Sequence, residues 1–295
     1  MTSPTQESEN WRGILWAMLS VLGASAMAVS VRGASLELDT RLLVGYRLFF
    51  TLIILGLTLF LIPQLRSEIR FSQPRAHLIR GSLMACSIHF GFYTLSVVPL
   101  AAAAILFATA PIFATIFSVA LGRETIGPRR TLAIIVGFLG TIIVMRPSSD
   151  QIDVNMIYGI TSSIFFGFAL VMSRNLARTD GPISTLISTT AIGLIITIPI
   201  AAPVFEFATD LTLILWISVL IVFGILRQYA DIQAYRYAQA AVIAPISYFR
   251  MVLIGIMAFL FFEEIPVLTT YIGALIVIVS TIYITNRERI AKISN

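Results

Sequence analysis

Polar residues are scarce along this chain, and they come in bunches. Between the bunches lie ten predominantly apolar runs: 12–31, 42–62, 78–98, 101–121, 131–146, 156–174, 183–204, 211–235, 240–261 and 266–285. A bilayer core about 30 Å thick needs roughly 20 such residues per helix. Each run therefore predicts a transmembrane helix, and together they predict an all-α polytopic membrane protein. The breaks carry turn or charge signals: "PQLRSEIRFSQPR", "GRETIGPRR", "RPSSDQIDVN" and "RNLARTDGP". The third and fourth runs meet through "VVPLA", which leaves room only for a tight hairpin. Residues 1–10 are polar and acidic, and no basic leader or small-residue cleavage site precedes the first run.

The distribution of positive charge orients these helices. With the N-terminus cytoplasmic, the inside segments hold Arg12, Arg66, Arg70, Arg75, Arg80, Arg123, Arg129, Arg130, Arg174, Arg178, Arg236, Arg287, Arg289 and Lys292. The outside loops hold only Arg32, Arg41 and Arg146, while Glu206, Asp210, Glu263 and Glu264 fall outside with no basic neighbour in their loops. This asymmetry favours an even helix count with both termini cytoplasmic, in a bacterial-type inner membrane.

Composition agrees. Hydrophobic residues make up 58% of the chain and charged residues 12%, about half the charge of a globular domain. The pI near 9.7 does not imply a nucleic-acid partner, because the arginines are spread over short loops. The single cysteine, Cys86, excludes an intramolecular disulfide and any cysteine-built metal cluster.

Three basic residues lie in no loop: Arg47, Arg227 and Arg250. A guanidinium at a helix centre costs about 2.5–3.5 kcal/mol on insertion scales. It persists where it faces a cavity, a partner or a substrate. Arg227 and Asp231, four apart, share a helix face and are expected to pair. Three arginines against one acid leave the interior with a net charge of about +2, which a bound carboxylate or phosphate would offset. The alternative is that Arg47 snorkels outward and Arg250 stacks on Tyr248, Tyr235 or Tyr229. Tyr93, Gln228, Tyr229 and Tyr248 would supply aromatic walls and polar contacts for an amino-acid-like or flat solute; interhelical packing is the alternative for each. His89, the histidine inside a run, and Asp231 are candidate carriers of a coupling proton, or, for His89, a satisfied hydrogen-bonding residue. Pro111, Pro199, Pro203 and Pro245 predict kinks, serving as hinges or as static bends. Glu124 and Glu264 read as structural caps.

The chain also resembles itself. Displaced by 140 residues, Ala101, Ala104, Ile116, Glu124, Thr141 and Ile142 meet identical residues, and the helix layout repeats. Two copies of five helices must run in opposite directions, because five is odd. That predicts a first repeat at 12–147, a connecting loop at 148–155 and a second repeat at 156–286, with tails at 1–11 and 287–295. Inverted repeats place a binding site at mid-membrane between the halves.

Several stretches resemble the drug/metabolite transporter superfamily in its EamA-type ten-helix form. They are "RAHLIRG", "VVPLAAAAILFATAPIFATIFSVALGRETIGPRRTLAIIVGFLGTIIVMRP", "QAYRYAQAAVIAPISYF" and "YIGALIVIVSTIYITNRE". The resemblance implies secondary transport of a small organic metabolite through a central cavity lined by helices of both halves. Related members carry S-adenosylmethionine, riboflavin or amino acids. It also implies an arginine at the position of Arg47, in "GYRLFF". Asp231, in "LRQYADIQAYRY", departs from the family pattern.

No phosphate-binding glycine loop, zinc motif or nucleophile elbow is present. No catalytic, metal or cofactor residue is assigned, and the protein is expected not to be an enzyme. The leading reading is a carrier of a small-molecule substrate working by alternating access among membrane lipids. A channel, or a lipid-modifying membrane enzyme, is the alternative. A homodimer stays an option.

Overall fold

The computed structural model describes residues 4–121, 128–144, 153–237, 246 and 249–293. The described secondary structure is helical. The helices are α1 (Pro4–Ala34), α2 (Thr40–Leu61), α3 (Pro74–Val97), α4 (Leu100–Phe107), α5 (Ala110–Ala120), α6 (Pro128–Val144), α7 (Met156–Thr179), α8 (Gly181–Ala201), α9 (Leu211–Tyr237), α10 (Phe249–Phe262) and α11 (Leu268–Ile293). Short 3₁₀ turns occupy Pro63–Glu68 and Ala202–Val204.

Among the described residues, six spans are long and apolar enough to cross a membrane: Trp11–Ala34, Thr40–Leu61, Leu100–Ala120, Met156–Ser173, Gly181–Val204 and Leu211–Asp231. Shorter apolar stretches lie at Ile134–Val144, Phe249–Phe262 and Leu268–Ser280. Their outward faces are greasy. On α2, Phe49, Ile53, Leu57 and Phe60 are exposed, while Leu43, Val44, Arg47 and Thr51 are buried. In water the outer stripe would be charged. Here lipid is the solvent, and the outer stripe is apolar.

The packing partners are largely distant in sequence. α1 lies along α9, α6 along α11, α3 against α7 and α8, α5 against α7, and α2 against α8. Where lipid competes equally for apolar side chains, close backbone approach drives association. The α6–α11 contact shows this. A Cβ on Gly273 would lie 2.7 Å from the Gly140 carbonyl oxygen.

The fourth run is broken. α4 stops at Phe107 and α5 begins at Ala110, with Pro111 in its first turn. Proline has no N–H to donate and frees a carbonyl upstream. The Leu106 carbonyl, at this break, accepts from Thr109 Oγ1 at 2.6 Å and from Ser163 Oγ of α7 at 2.8 Å. In α8, Pro199 is tolerated inside the helix, while Pro203 lies in the 3₁₀ turn that ends it. Pro245 and Glu124 lie outside the described residues.

Two polar clusters tie the ends of the bundle. At one end the Arg32 guanidinium lies 3.0 Å from Glu264 and donates to the Ser96 carbonyl. Glu264 also accepts from the Leu100 backbone N–H at 2.8 Å, capping α4. At the other end Asp180, at the α7–α8 turn, receives hydrogen bonds from Ser72, Gln73 and His77. Gly181, with φ of +84°, makes that turn so tight that α8 starts two residues after α7 ends.

Candidate functional site

Arg47 points inward. Its α2 position leaves it 5% exposed, so it does not snorkel to the surface. The guanidinium carbon lies 5.7 Å from the Phe92 ring centroid on α3. On its other side is α9, where a Cβ on Gly224 would approach Arg47 Nε to 3.0 Å. Gly224 thus gives the guanidinium its room. Arg227, three residues further along α9, shares the helix face of Gly224. Among the described residues, no carboxylate lies within ion-pair distance of Arg47.

Arg227 Nε lies 3.8 Å from Asp231 Oδ2, the pairing that the i, i+4 spacing predicts, at the long limit of an ion pair. Asp231 also accepts from Ser20 Oγ of α1. Gln228 is partly buried between these two positions. His89 is on α3, three residues before Phe92 and so on the same helix face. Its Nε2 lies 2.9 Å from Thr197 Oγ1 of α8. Arg47, Phe92, His89, Thr197, Gly224 and Arg227 therefore converge from α2, α3, α8 and α9.

Other expected site residues lie elsewhere. Tyr229 is largely exposed. Its ring meets Trp16 edge-on at 5.6 Å, and its hydroxyl accepts from Gln233 at 2.7 Å. That is packing between α1 and α9. Tyr93 is 37% exposed and meets Tyr158 of α7 edge-on at 4.7 Å. Arg250 is the second residue of α10 and is partly buried. Tyr248 lies outside the described residues, as does the side chain of Tyr235.

Two features escape the sequence pattern. One is an aromatic column between α3 and α7, in which Phe90 stacks on Tyr158 at 6.0 Å and on Phe165 at 5.9 Å. The other is Arg80. The pattern counts it among the inside loops, yet it lies within α3 and is 8% exposed. Its Nε donates to Ser173 of α7 at 2.6 Å, and its Nη1 donates to Thr189 of α8. His77, just before the predicted third run, is buried in the same cluster. Two signals in the sequence point there: the i, i+3 spacing of His77 and Arg80, and the hydroxyl-rich "STLISTT" at 184–190. A recess of about 410 Å³ between α2 and α9 is lined by Tyr46, Phe50, Ile54, Ile214 and Ile217 among others. It is lined by none of these charged groups.

Comparison with known proteins identifies the family. A crystal structure shares the fold with a TM-score of 0.60 at 18% identity, over 91% of this chain and 94% of that one. An S-adenosylmethionine uptake transporter of Rickettsia bellii is 28% identical over 277 residues, 94% of each chain. A riboflavin transporter of Vibrio cholerae is 26% identical over 94% of each. A pseudopaline exporter of Pseudomonas aeruginosa is 25% identical over 94% of this chain and 97% of its own. The model of the EamA-like transporter family matches residues 11–146 and 154–286. This multi-pass integral membrane protein, a transporter of small metabolites, belongs to the EamA-like transporter family.

Proposed function

We propose that the protein is a secondary carrier of a small metabolite bearing a carboxylate, S-adenosylmethionine foremost. The solute would move by alternating access between two inverted five-helix repeats, 12–147 and 156–286, with both termini cytoplasmic in an inner membrane. The observation that carries this reading is Arg47: a buried guanidinium facing α3 and α9, with no carboxylate within ion-pair distance among the described residues. Arg47 and Arg227 would hold the solute's carboxylate, Asp231 would face its ammonium group, and the α3 aromatics would meet its flat ring system. Arg250, Gln228, Tyr93, Tyr229 and Tyr248 would line the path rather than the centre. His89 and Asp231 are the proton carriers of this scheme.

The helix pairings support the repeat. α4 and α5 together form the fourth span. The first span packs on the eighth and the third on the sixth; the fourth packs on the sixth and the first on the ninth; the third packs on the seventh and the second on the eighth. Exchanging the two halves turns each of these pairings into its partner. The names of the relatives support the solute class, since four S-adenosylmethionine uptake transporters match over 94% of this chain.

The test is reconstitution into liposomes with labelled S-adenosylmethionine. Saturable uptake with counterflow supports the carrier. Flux that never saturates would indicate a channel. Uptake of riboflavin but not of S-adenosylmethionine would remove the carboxylate argument.

A further inference from the structure

His77 is 3% exposed and sits where three elements meet. Its Nε2 is 2.9 Å from Asp180 Oδ2, and its Nδ1 is 2.7 Å from Ser188 Oγ of α8. Phe71 covers the ring edge-on at 5.2 Å. Asp180 has no exposed side-chain surface. The hydrogen bonds of this cluster favour a doubly protonated ring. Ser188 Oγ donates its one proton to the Thr185 carbonyl at 3.1 Å. It therefore presents lone pairs to His77 Nδ1, and the Asp180 carboxylate presents lone pairs to Nε2. With Ser188 in that donor role both ring nitrogens face acceptors, and an imidazolium satisfies both; a neutral ring fits once Ser188 turns its proton from Thr185 to Nδ1.

We infer that His77, Asp180 and Ser188 form a proton-binding site whose occupancy clamps the start of α3 to the α7–α8 turn. The clamp joins a helix of the first half to two helices of the second. Loss of the Nδ1 proton sets a nitrogen lone pair against an oxygen lone pair at 2.7 Å. Ser188 must then release the Thr185 carbonyl and donate to the ring, or the ring must leave α8. The first change keeps a hydrogen bond between α3 and α8 but turns the His77–Asp180 ion pair into a weaker bond from a neutral ring; the second parts α3 from α8. Among the described residues the charged groups around the ring are Asp180, in direct contact, and Arg80, one turn along α3 with hydroxyl partners on α7 and α8. Counted with Arg80, the cluster's charge falls from +1 to zero as the proton leaves and returns to +1 with it.

The fold does not require a buried acid at this kind of turn. The corresponding α1–α2 turn carries Asp39, which is exposed and pairs at 2.7 Å with Arg41 of its own helix. That pair ties nothing to the opposite half. Asp180 alone of the two is buried and bonded across the halves. This inference is independent of which solute is carried, because it concerns how one end of the bundle closes.

Histidine is the side chain that changes charge near neutral pH, and this chain has two, His77 and His89. The experiment uses the full chain in nanodiscs with ¹⁵N-imidazole histidine, titrated from about pH 5 to about pH 9, the range that spans histidine protonation. His89→Gln assigns the signals. Both His77 nitrogens should read as protonated at the acid end and one at the alkaline end. In parallel, spin labels at Arg75→Cys and Thr179→Cys, in a Cys86→Ser background, report the α3-to-α7 separation. The separation should lengthen as pH rises, and this response should vanish in His77→Gln. A His77 ring with one protonation state throughout overturns the inference, as does a separation that moves equally in His77→Gln. If His77→Gln does not fold, the nitrogen titration decides by itself.

Discussion

Replacing Arg47 with methionine should make the protein more stable and disable it in the same step. Arg47 is 5% exposed within an apolar helix, where a guanidinium costs about 2.5–3.5 kcal/mol. Its visible compensation is the Phe92 ring at 5.7 Å, and such a contact returns about 0.5–2 kcal/mol. The difference, about 0.5–3 kcal/mol, is what methionine should recover, since it keeps the unbranched stem and drops the charge. Function moves the other way. A charge-assisted hydrogen bond to a solute carboxylate contributes about 1.5–3 kcal/mol. At about 1.4 kcal/mol per factor of ten, losing it weakens binding by roughly 10- to 150-fold. Arg47→Lys keeps the charge but not the planar fork, so it should leave stability near native and still transport poorly. Thermal unfolding in detergent reads the first effect, and S-adenosylmethionine counterflow in proteoliposomes reads the second. A methionine variant less stable than the native chain would show that the guanidinium is held by a favourable partner. Normal counterflow by that variant would make Arg47 a packing residue, and the anionic-group argument would fall with it.

Three further outcomes are expected. Glu264→Ala removes the ion pair to Arg32 and orphans the Leu100 N–H that starts α4; thermal unfolding should show a loss of about 1–3 kcal/mol. Glu263 has φ of +56° at the end of α10, with its N–H bonded to the Phe259 carbonyl; glycine there relieves a left-handed side chain and should gain about 1 kcal/mol in the same assay. The Ser72 hydroxyl, and after it His77, hold the Asp180 carboxyl down to about 2 from its ordinary value of 3.8, with burial opposing them. A lowered carboxylate contributes its stability above the ordinary value and loses it as pH falls through the folded one. The melting temperature should therefore drop between about pH 4 and about pH 2, and Asp180→Asn should flatten that drop.

The helices were legible because lipid makes hydropathy nearly sufficient. α2, α8 and α9 begin and end within a few residues of the runs at 42–62, 183–204 and 211–235. The break inside the fourth run was legible as well, because Pro111 cannot donate to the carbonyl a turn behind it. Arg47, Arg227 and Asp231 stood out as charges inside apolar runs, and their surroundings on α2 and α9 follow from helix spacing. What hydropathy hid is the beginning of α3. A run measured by apolar content starts at residue 78 because Arg75 and His77 count against it, whereas the helix starts at Pro74. The groups that make His77 and Arg80 tolerable there are Asp180, Ser188, Ser173 and Thr189, all about 90 to 110 residues away in sequence. A charge near the end of a span reads as a loop until its partner is known, and here the partner comes from the other half of the chain. The same holds at the opposite end, where Arg32 meets Glu264 across more than 200 residues. Both clusters join the halves, and in the proposed alternating-access cycle one of them would be released while the other holds. Arg32–Glu264 is a fixed-charge pair, whereas the His77 cluster can lose its charge with a single proton. On the inferred clamp, the end closed by His77 is therefore the one whose closure would follow the proton.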